Sequence, residues 1–225
     1  MEIPKYLESV FDKKLCALQS YKHEGLTYPI DFVFQQKVIG KLNVINGKII
    51  ALDAFEFTEP EAPFQHLFPQ GKFPVELAIA TWGDDSRVAL ARIKFSKTDP
   101  IRWEAAIRDD EFISHNSLTY GVDSGVGAFM DTASFDLYSE TMQGEGMEGE
   151  GTEYWEDLEA ELNNCTDSIR WLVWRRKGKN VIMFDSGFGD GSYFSYVGFD
   201  NEGQICRLVT DFGILSDERR IPPHF

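Results

Sequence analysis

Asp-Ser-Gly-x-Gly occurs twice in this chain, as Asp123-Ser124-Gly125-Val126-Gly127 and as Asp185-Ser186-Gly187-Phe188-Gly189. Each copy follows an apolar run and precedes an aromatic one. Glycine takes φ > 0 without steric cost, so both segments predict strand, tight turn and strand, with a carboxylate and a hydroxyl held at the bend. Gly125, Gly127, Gly187, Gly189 and Gly191 are the structural turn residues, and at least one of the last three is expected to require φ > 0. The 18 Phe, 8 Tyr and 5 Trp suit strands and their cross-strand pairs better than long helices.

Residues 4–19 place Tyr6, Leu7, Val10, Phe11, Leu15 and Leu18 at helical spacing, which predicts an amphipathic N-terminal helix. Ile30, Phe32 and Phe34 then alternate with polar residues. Lys41 to Ile45 and Lys48 to Ala51 flank Asn46-Gly47, the dipeptide that best fits a two-residue hairpin turn. Phe73 to Ala80 and Arg87 to Phe95 read as a second hairpin with a longer turn. Short helices are predicted from Phe135, Leu137 and Tyr138 and again over 153–163, with strands from Ile169 onward. The fold class is α+β: mainly antiparallel sheet, as hairpins in a curved sheet or sandwich, with the N-terminal helix and one or two short peripheral helices. Residues 1–225 form one domain in this reading, with an acidic Gly-rich insertion at about 143–153.

Charge is unevenly placed. The formal net charge is -15, and residues 131–161 hold eleven acids and no Lys, Arg or His. Such a field repels phosphate backbones and anionic membranes, so direct nucleic-acid or lipid binding is not expected, whereas a basic protein partner is. The contact surface expected for it is Glu153, Tyr154, Trp155, Glu156, Asp157 and Glu159, acidic with aromatic anchors. No apolar stretch reaches the roughly 20 residues of a membrane span, and Met1-Glu2-Ile3-Pro4-Lys5 does not resemble a signal peptide, so a cytoplasmic location is expected. Cys16, Cys165 and Cys206 are widely spaced and read as buried free thiols. The oligomeric state is not legible.

Four carboxylates, Asp123, Asp131, Asp185 and Asp190, converge if the two turns lie side by side, and oxygen ligands of this kind suit a divalent cation. Against this, aspartate beside glycine in a tight turn ordinarily caps its own backbone. A shared-proton dyad of the aspartic-protease kind is disfavoured, because Val126 and Phe188 stand where a small hydroxyl residue is usual and little else is duplicated. Gly187-Phe188-Gly189-Asp190-Gly191 is no phosphate cradle, since its aspartate repels an anion. His23, His66, His115 and His224 are scattered, and Gly-x-Ser-x-Gly is absent. No catalytic residue is assigned.

The run Phe184 to Tyr193, with Tyr196-Val197-Gly198-Phe199-Asp200 and Leu208-Val209-Thr210-Asp211-Phe212, resembles the signature of the uncharacterised bacterial family DUF4241. Gly47 to Asp53, Phe73-Pro74-Val75 with Arg87-Val88-Ala89, and Val122-Asp123-Ser124-Gly125 with Asp131 resemble its weaker motifs, in order. At Asp53 the chain continues with alanine, and the tip of the 143–151 loop is its own. The resemblance implies a bacterial single-domain protein and carries over no activity. The resulting expectation is a non-enzymatic acidic recognition module, of the immunity type that neutralises a basic toxin, with no required cofactor. A divalent-metal-dependent hydrolase built on the paired turns and a structural or accessory subunit remain the alternatives. Carboxylates facing one cleft favour the hydrolase, and carboxylates that cap turns favour binding.

Overall fold

The computed structural model describes residues 3–11, 16–23, 26–57, 62–108, 118–142 and 154–215, with the backbone alone for 16–23, 26–31 and 154–155. Its strands form two antiparallel sheets. The larger runs in the order β1 (Cys16–His23), β2 (Leu26–Val44), β4 (Gly71–Trp82), β5 (Asp85–Lys94), β12 (Ile205–Asp211), β11 (Gly191–Phe199) and β6 (Arg102–Ala105). β7 (Thr119–Val122) also pairs with β11. The smaller runs β3 (Ile49–Asp53), β8 (Val126–Asp131), β10 (Lys179–Asp185) and β9 (Trp171–Arg176). Two α-helices, α1 (Thr132–Met142) and α2 (Tyr154–Asn163), and a 3-10 turn at Ser9–Phe11 complete the described elements.

Side-chain alternation shows why these segments are strands. In β3, Ile49 and Ala51 enter the core between the sheets, while Ile50 and Leu52 join the cluster beneath the helices. β10 divides in the same way, with Ile182 and Phe184 facing the other sheet and Val181 and Met183 facing the helices. Both strands are therefore buried on two faces, which explains their continuous apolar runs. From the larger sheet, Leu42, Val75, Leu77, Ile93, Val197 and Leu208 close the central core. Burying each such side chain contributes about 1.5–3 kcal/mol. Cys206 is a free buried thiol whose pKa burial pushes up to about 11; Cys165 is free but only partly buried, short of the burial expected, and the side chain of Cys16 lies outside the described residues.

Three expectations need correction. The N-terminal helix is replaced by a 3-10 turn at Ser9–Phe11, and the later part of the predicted segment is strand β1. Leu7, Val10 and Phe11 need one turn only to reach the outer face of the larger sheet, where they meet Phe32, Phe34 and Trp82. Glu8 fixes that turn from its polar side, with Oε1 at 3.0 Å from both Arg92 and Arg207. Asn46-Gly47 does bend the chain with φ +83° at Gly47, but it joins no hairpin: β2 lies in the larger sheet and β3 in the smaller. The β4–β5 turn is shorter than expected, because Trp82 pairs with Asp85 and only Gly83 and Asp84 intervene. The insertion at about 143–153 lies outside the described residues.

Candidate functional site

Both Asp-Ser-Gly segments are corners at which the chain passes from one sheet to the other. The first leads from β7 to β8 and the second from β10 to β11. Since β8 pairs with β10 and β7 with β11, the two corners lie side by side. Ser186 N–H donates to Gly125 O at 3.1 Å across the gap between them. Asn46-Gly47 is a third corner, and bends of this type are how strands change sheets in a sandwich.

An aspartate from a neighbouring strand holds each of two corners. Asp53, buried at the end of β3, accepts Asp123 N–H and Ser124 N–H on Oδ2, both at 2.7 Å. Its Oδ1 accepts the Ser124 hydroxyl at 2.6 Å and the N–H groups of Phe55 and Glu56. Asp131, buried at the end of β8, accepts Ile45, Asn46 and Gly47 N–H on Oδ2 at 3.0–3.1 Å. Its Oδ1 caps α1 through Ala133 N–H. Because β3 and β8 are antiparallel partners, each supplies the carboxylate that fastens the corner leading into the other.

The second Asp-Ser-Gly corner is held differently. Asp185 pairs with Arg170, whose Nε and backbone N–H lie 2.8 and 2.7 Å from its two oxygens. The Ser186 hydroxyl, buried, donates to Gly189 O at 2.7 Å, and Tyr193 OH donates to the same oxygen at 2.7 Å. Gly187 (φ +51°) and Gly189 (φ +113°) take the left-handed conformations, as Gly125 does in the first corner (φ +79°); Gly127 and Gly191 do not. Between the corners lies a polar cleft of about 500 Å³, lined by Ser124, Ser168, Ser186 and two ion pairs, Asp85–Arg87 and Arg170–Asp185. Its charges neutralise one another within the wall.

The corners come together, but the four candidate metal ligands do not. Asp123 and Asp190 are exposed, and Asp185 is engaged by Arg170. Asp131 stands at the opposite end of β8, about 17 Å along the strand from the bend. Among the described residues no group of three or more His, Cys, Asp or Glu is arranged to hold a metal ion. Asp53, absent from the candidate ligands, has the richest hydrogen bonding of the region. Its signals in the sequence were its place at the end of an apolar strand and at the close of the Gly47 to Asp53 motif.

Of the residues expected to form the partner surface, Tyr154, Trp155, Glu156, Asp157 and Glu159 fall on α2, and α1 packs beside it. Leu158 and Leu162 are buried against the smaller sheet, while Glu156, Asp157, Glu159 and Glu161 are exposed. On α1, Phe135 and Tyr138 face inward and Asp136 and Glu140 outward. Glu156 and Asp157 occupy the first turn of α2, where the helix dipole favours negative charge. Tyr154 begins α2; its side chain, that of Trp155 and the whole of Glu153 lie outside the described residues.

No helix among the described residues is long and apolar enough to cross a membrane. No curated protein and no solved structure matches the chain. The model of the family described as "Protein of unknown function (DUF4241)" matches residues 42–210, a span that includes all three sheet-switching corners and both of their aspartate fasteners. On that match over most of its length, the chain belongs to the DUF4241 family.

Proposed function

We propose that this protein is a non-enzymatic recognition module whose acidic helical layer docks a basic partner protein. One observation carries the reading: Asp136, Glu140, Glu156, Asp157, Glu159 and Glu161 are all exposed on the outer helices, within a stretch that contains no basic residue. A like-signed face of this kind steers a cationic partner and accelerates its association. In its specific form the proposal is an immunity-type protein of the bacterial cytoplasm, since a toxin that acts on nucleic acid presents the cationic surface such a face would cover. The engagement of Asp53, Asp131 and Asp185 with corners and Arg170 supports binding over metal-assisted hydrolysis.

The test begins with affinity capture from the native host and continues with kinetics on the purified partner. Glu156→Lys, Asp157→Lys and Glu159→Lys together should leave the fold intact, because all three are exposed, and should lower melting only by the loss of the two acids in the first turn of α2, about 1–2 kcal/mol. Association should slow by about tenfold or more, and wild-type association should slow as salt rises. Equal association of wild type and variant at both low and high salt would remove this face as the docking surface.

A further inference from the structure

A second cleft, of about 680 Å³, opens where the β9–β10 hairpin meets β2 and the start of β4. Lys41, Lys72, Arg175, Arg176, Lys177 and Lys179 line it, and no acidic side chain does. In a chain of net charge -15 with 22 bases, this is a strong local reversal of sign. Elsewhere Arg87, Arg92, Arg102, Arg170 and Arg207 each face a carboxylate. Among the described residues, none of the six cleft cations has an ion-pair partner. Arg176 donates to the Thr141 hydroxyl of α1 at 2.9 Å, and the other five cations share the hollow and repel one another, so the cleft is electrostatically incomplete without an anion.

Two features of the backbone show that the cleft is built. Asn180, buried, ties the hairpin to β2: its Oδ1 accepts Asn43 N–H and its Nδ2 donates to Lys41 O, both at 2.8 Å. Asn43 Nδ2 returns a bond to Gly178 O at 2.7 Å. The hairpin itself turns on Lys177 and Gly178, with φ +48° and +78°. Such turns favour Asn, Asp or Gly at the first position, and Lys177 is the only positive-φ residue other than glycine among those described. A lysine kept in a strained position at the lip of a cationic cleft points from geometry to function.

We infer that this cleft binds a compact anion carrying two or more phosphate groups. Its volume lies within the range of small-ligand pockets, about 300–1,000 Å³. No aromatic side chain lines it, so it has no platform on which a base could stack, and recognition rests on charge alone. A long nucleic-acid chain leaving the cleft would meet the remaining negative surface. A compact ligand stays within the roughly 8–10 Å over which the local field acts at moderate salt.

The test measures binding of tripolyphosphate, ATP, inorganic phosphate and a single-stranded oligonucleotide to the full-length protein by calorimetry. Tripolyphosphate should bind saturably at low salt and weaken about tenfold or more between about 50 and 200 mM salt. ATP should match it within about threefold, with inorganic phosphate and the oligonucleotide weaker. Lys177→Asn suits the turn better than the native lysine, so it should melt at or above wild type while binding tripolyphosphate less tightly. Adding Lys72→Glu, an exposed position, should bring the loss to about tenfold or more. Absence of saturable tripolyphosphate binding, equal binding by the folded variants, ATP binding tighter than tripolyphosphate by more than about threefold, or tighter binding of the oligonucleotide would each overturn the inference.

Discussion

The two Asp-Ser-Gly corners share a sequence, adjoin one another and switch sheets, yet they are stabilised from opposite directions. In the first, the motif's own aspartate, Asp123, is exposed, and a foreign carboxylate, Asp53, gathers two backbone N–H groups and the Ser124 hydroxyl from the bend. In the second, Asp185 turns outward to Arg170 and Ser186 closes the bend upon itself through Gly189 O. There the support is steric: Gly187 lies so close to Phe212 that an added Cβ would sit 2.8 Å from the Phe212 Cβ. Equal motifs therefore carry unequal loads, and the load is set by what lies across from each bend.

The comparison is most exposed at Asp53. Asp53→Ala strands several partly buried donors at once and should lower stability by about 3 kcal/mol or more, whereas Asp185→Ala breaks a partly exposed ion pair and frees one backbone N–H, and should lower it by about 1–2 kcal/mol. Chemical denaturation of the two variants decides between them, and equal losses would mean that both corners depend on their carboxylates alike.

Glycine replacement should reverse the ranking. Gly187→Ala combines a left-handed backbone with collision against the Phe212 Cβ and its carbonyl oxygen at 2.9 Å, and is expected to lower stability by about 2–4 kcal/mol. Gly125→Ala has the conformational penalty, but its nearest neighbour lies at 3.5 Å, so about 1–2 kcal/mol is expected. Melting temperatures that fall equally would show that the second corner has room to relax away from Phe212.

The smallest effect concerns pH. Asp211, next to Phe212, is almost wholly buried, and burial holds its carboxyl above the ordinary carboxylate value despite bonds from Tyr6 OH and Gly213 N–H. A carboxyl raised on folding favours the native state when protonated, so its contribution is full below the ordinary value of 3.8 and declines as pH rises through the folded value. Asp211→Asn should leave stability unchanged or slightly higher at neutral pH, with a smaller difference near pH 4. A variant much weaker than wild type at neutral pH would show that the ionised carboxylate is what braces the chain behind the second corner.

Much of this organisation was legible because strand periodicity and glycine chemistry are local. Phe73 to Ala80 and Ser192 to Phe199 became strands, as did the short apolar run Val181 to Phe184 before its glycine turn, and the bends fell at the glycines. The partners of each strand were not legible. Asn46-Gly47 specifies a tight bend but says nothing of the sheet its second arm joins; that is settled by Asp131, more than 80 residues away. Leu7, Val10 and Phe11 satisfy a helical spacing that one turn already exhausts. Acidic exposure on α2 was readable from Leu158 and Leu162 four apart, whereas the cationic cleft draws Lys41, Lys72 and Lys177 from three separate segments.

β3 and β8 are apolar on both faces, so sliding one past the other would still bury the same kinds of side chain. Hydrophobicity is nearly blind to such an error. The crossed pair of aspartates is not: a slip of two residues would carry Asp131 about 7 Å from the Gly47 bend and Asp53 an equal distance from Ser124, stripping both corners of their acceptors together. The carboxylates thus act as a vernier on the centre of the smaller sheet, allowing only the alignment in which both marks coincide.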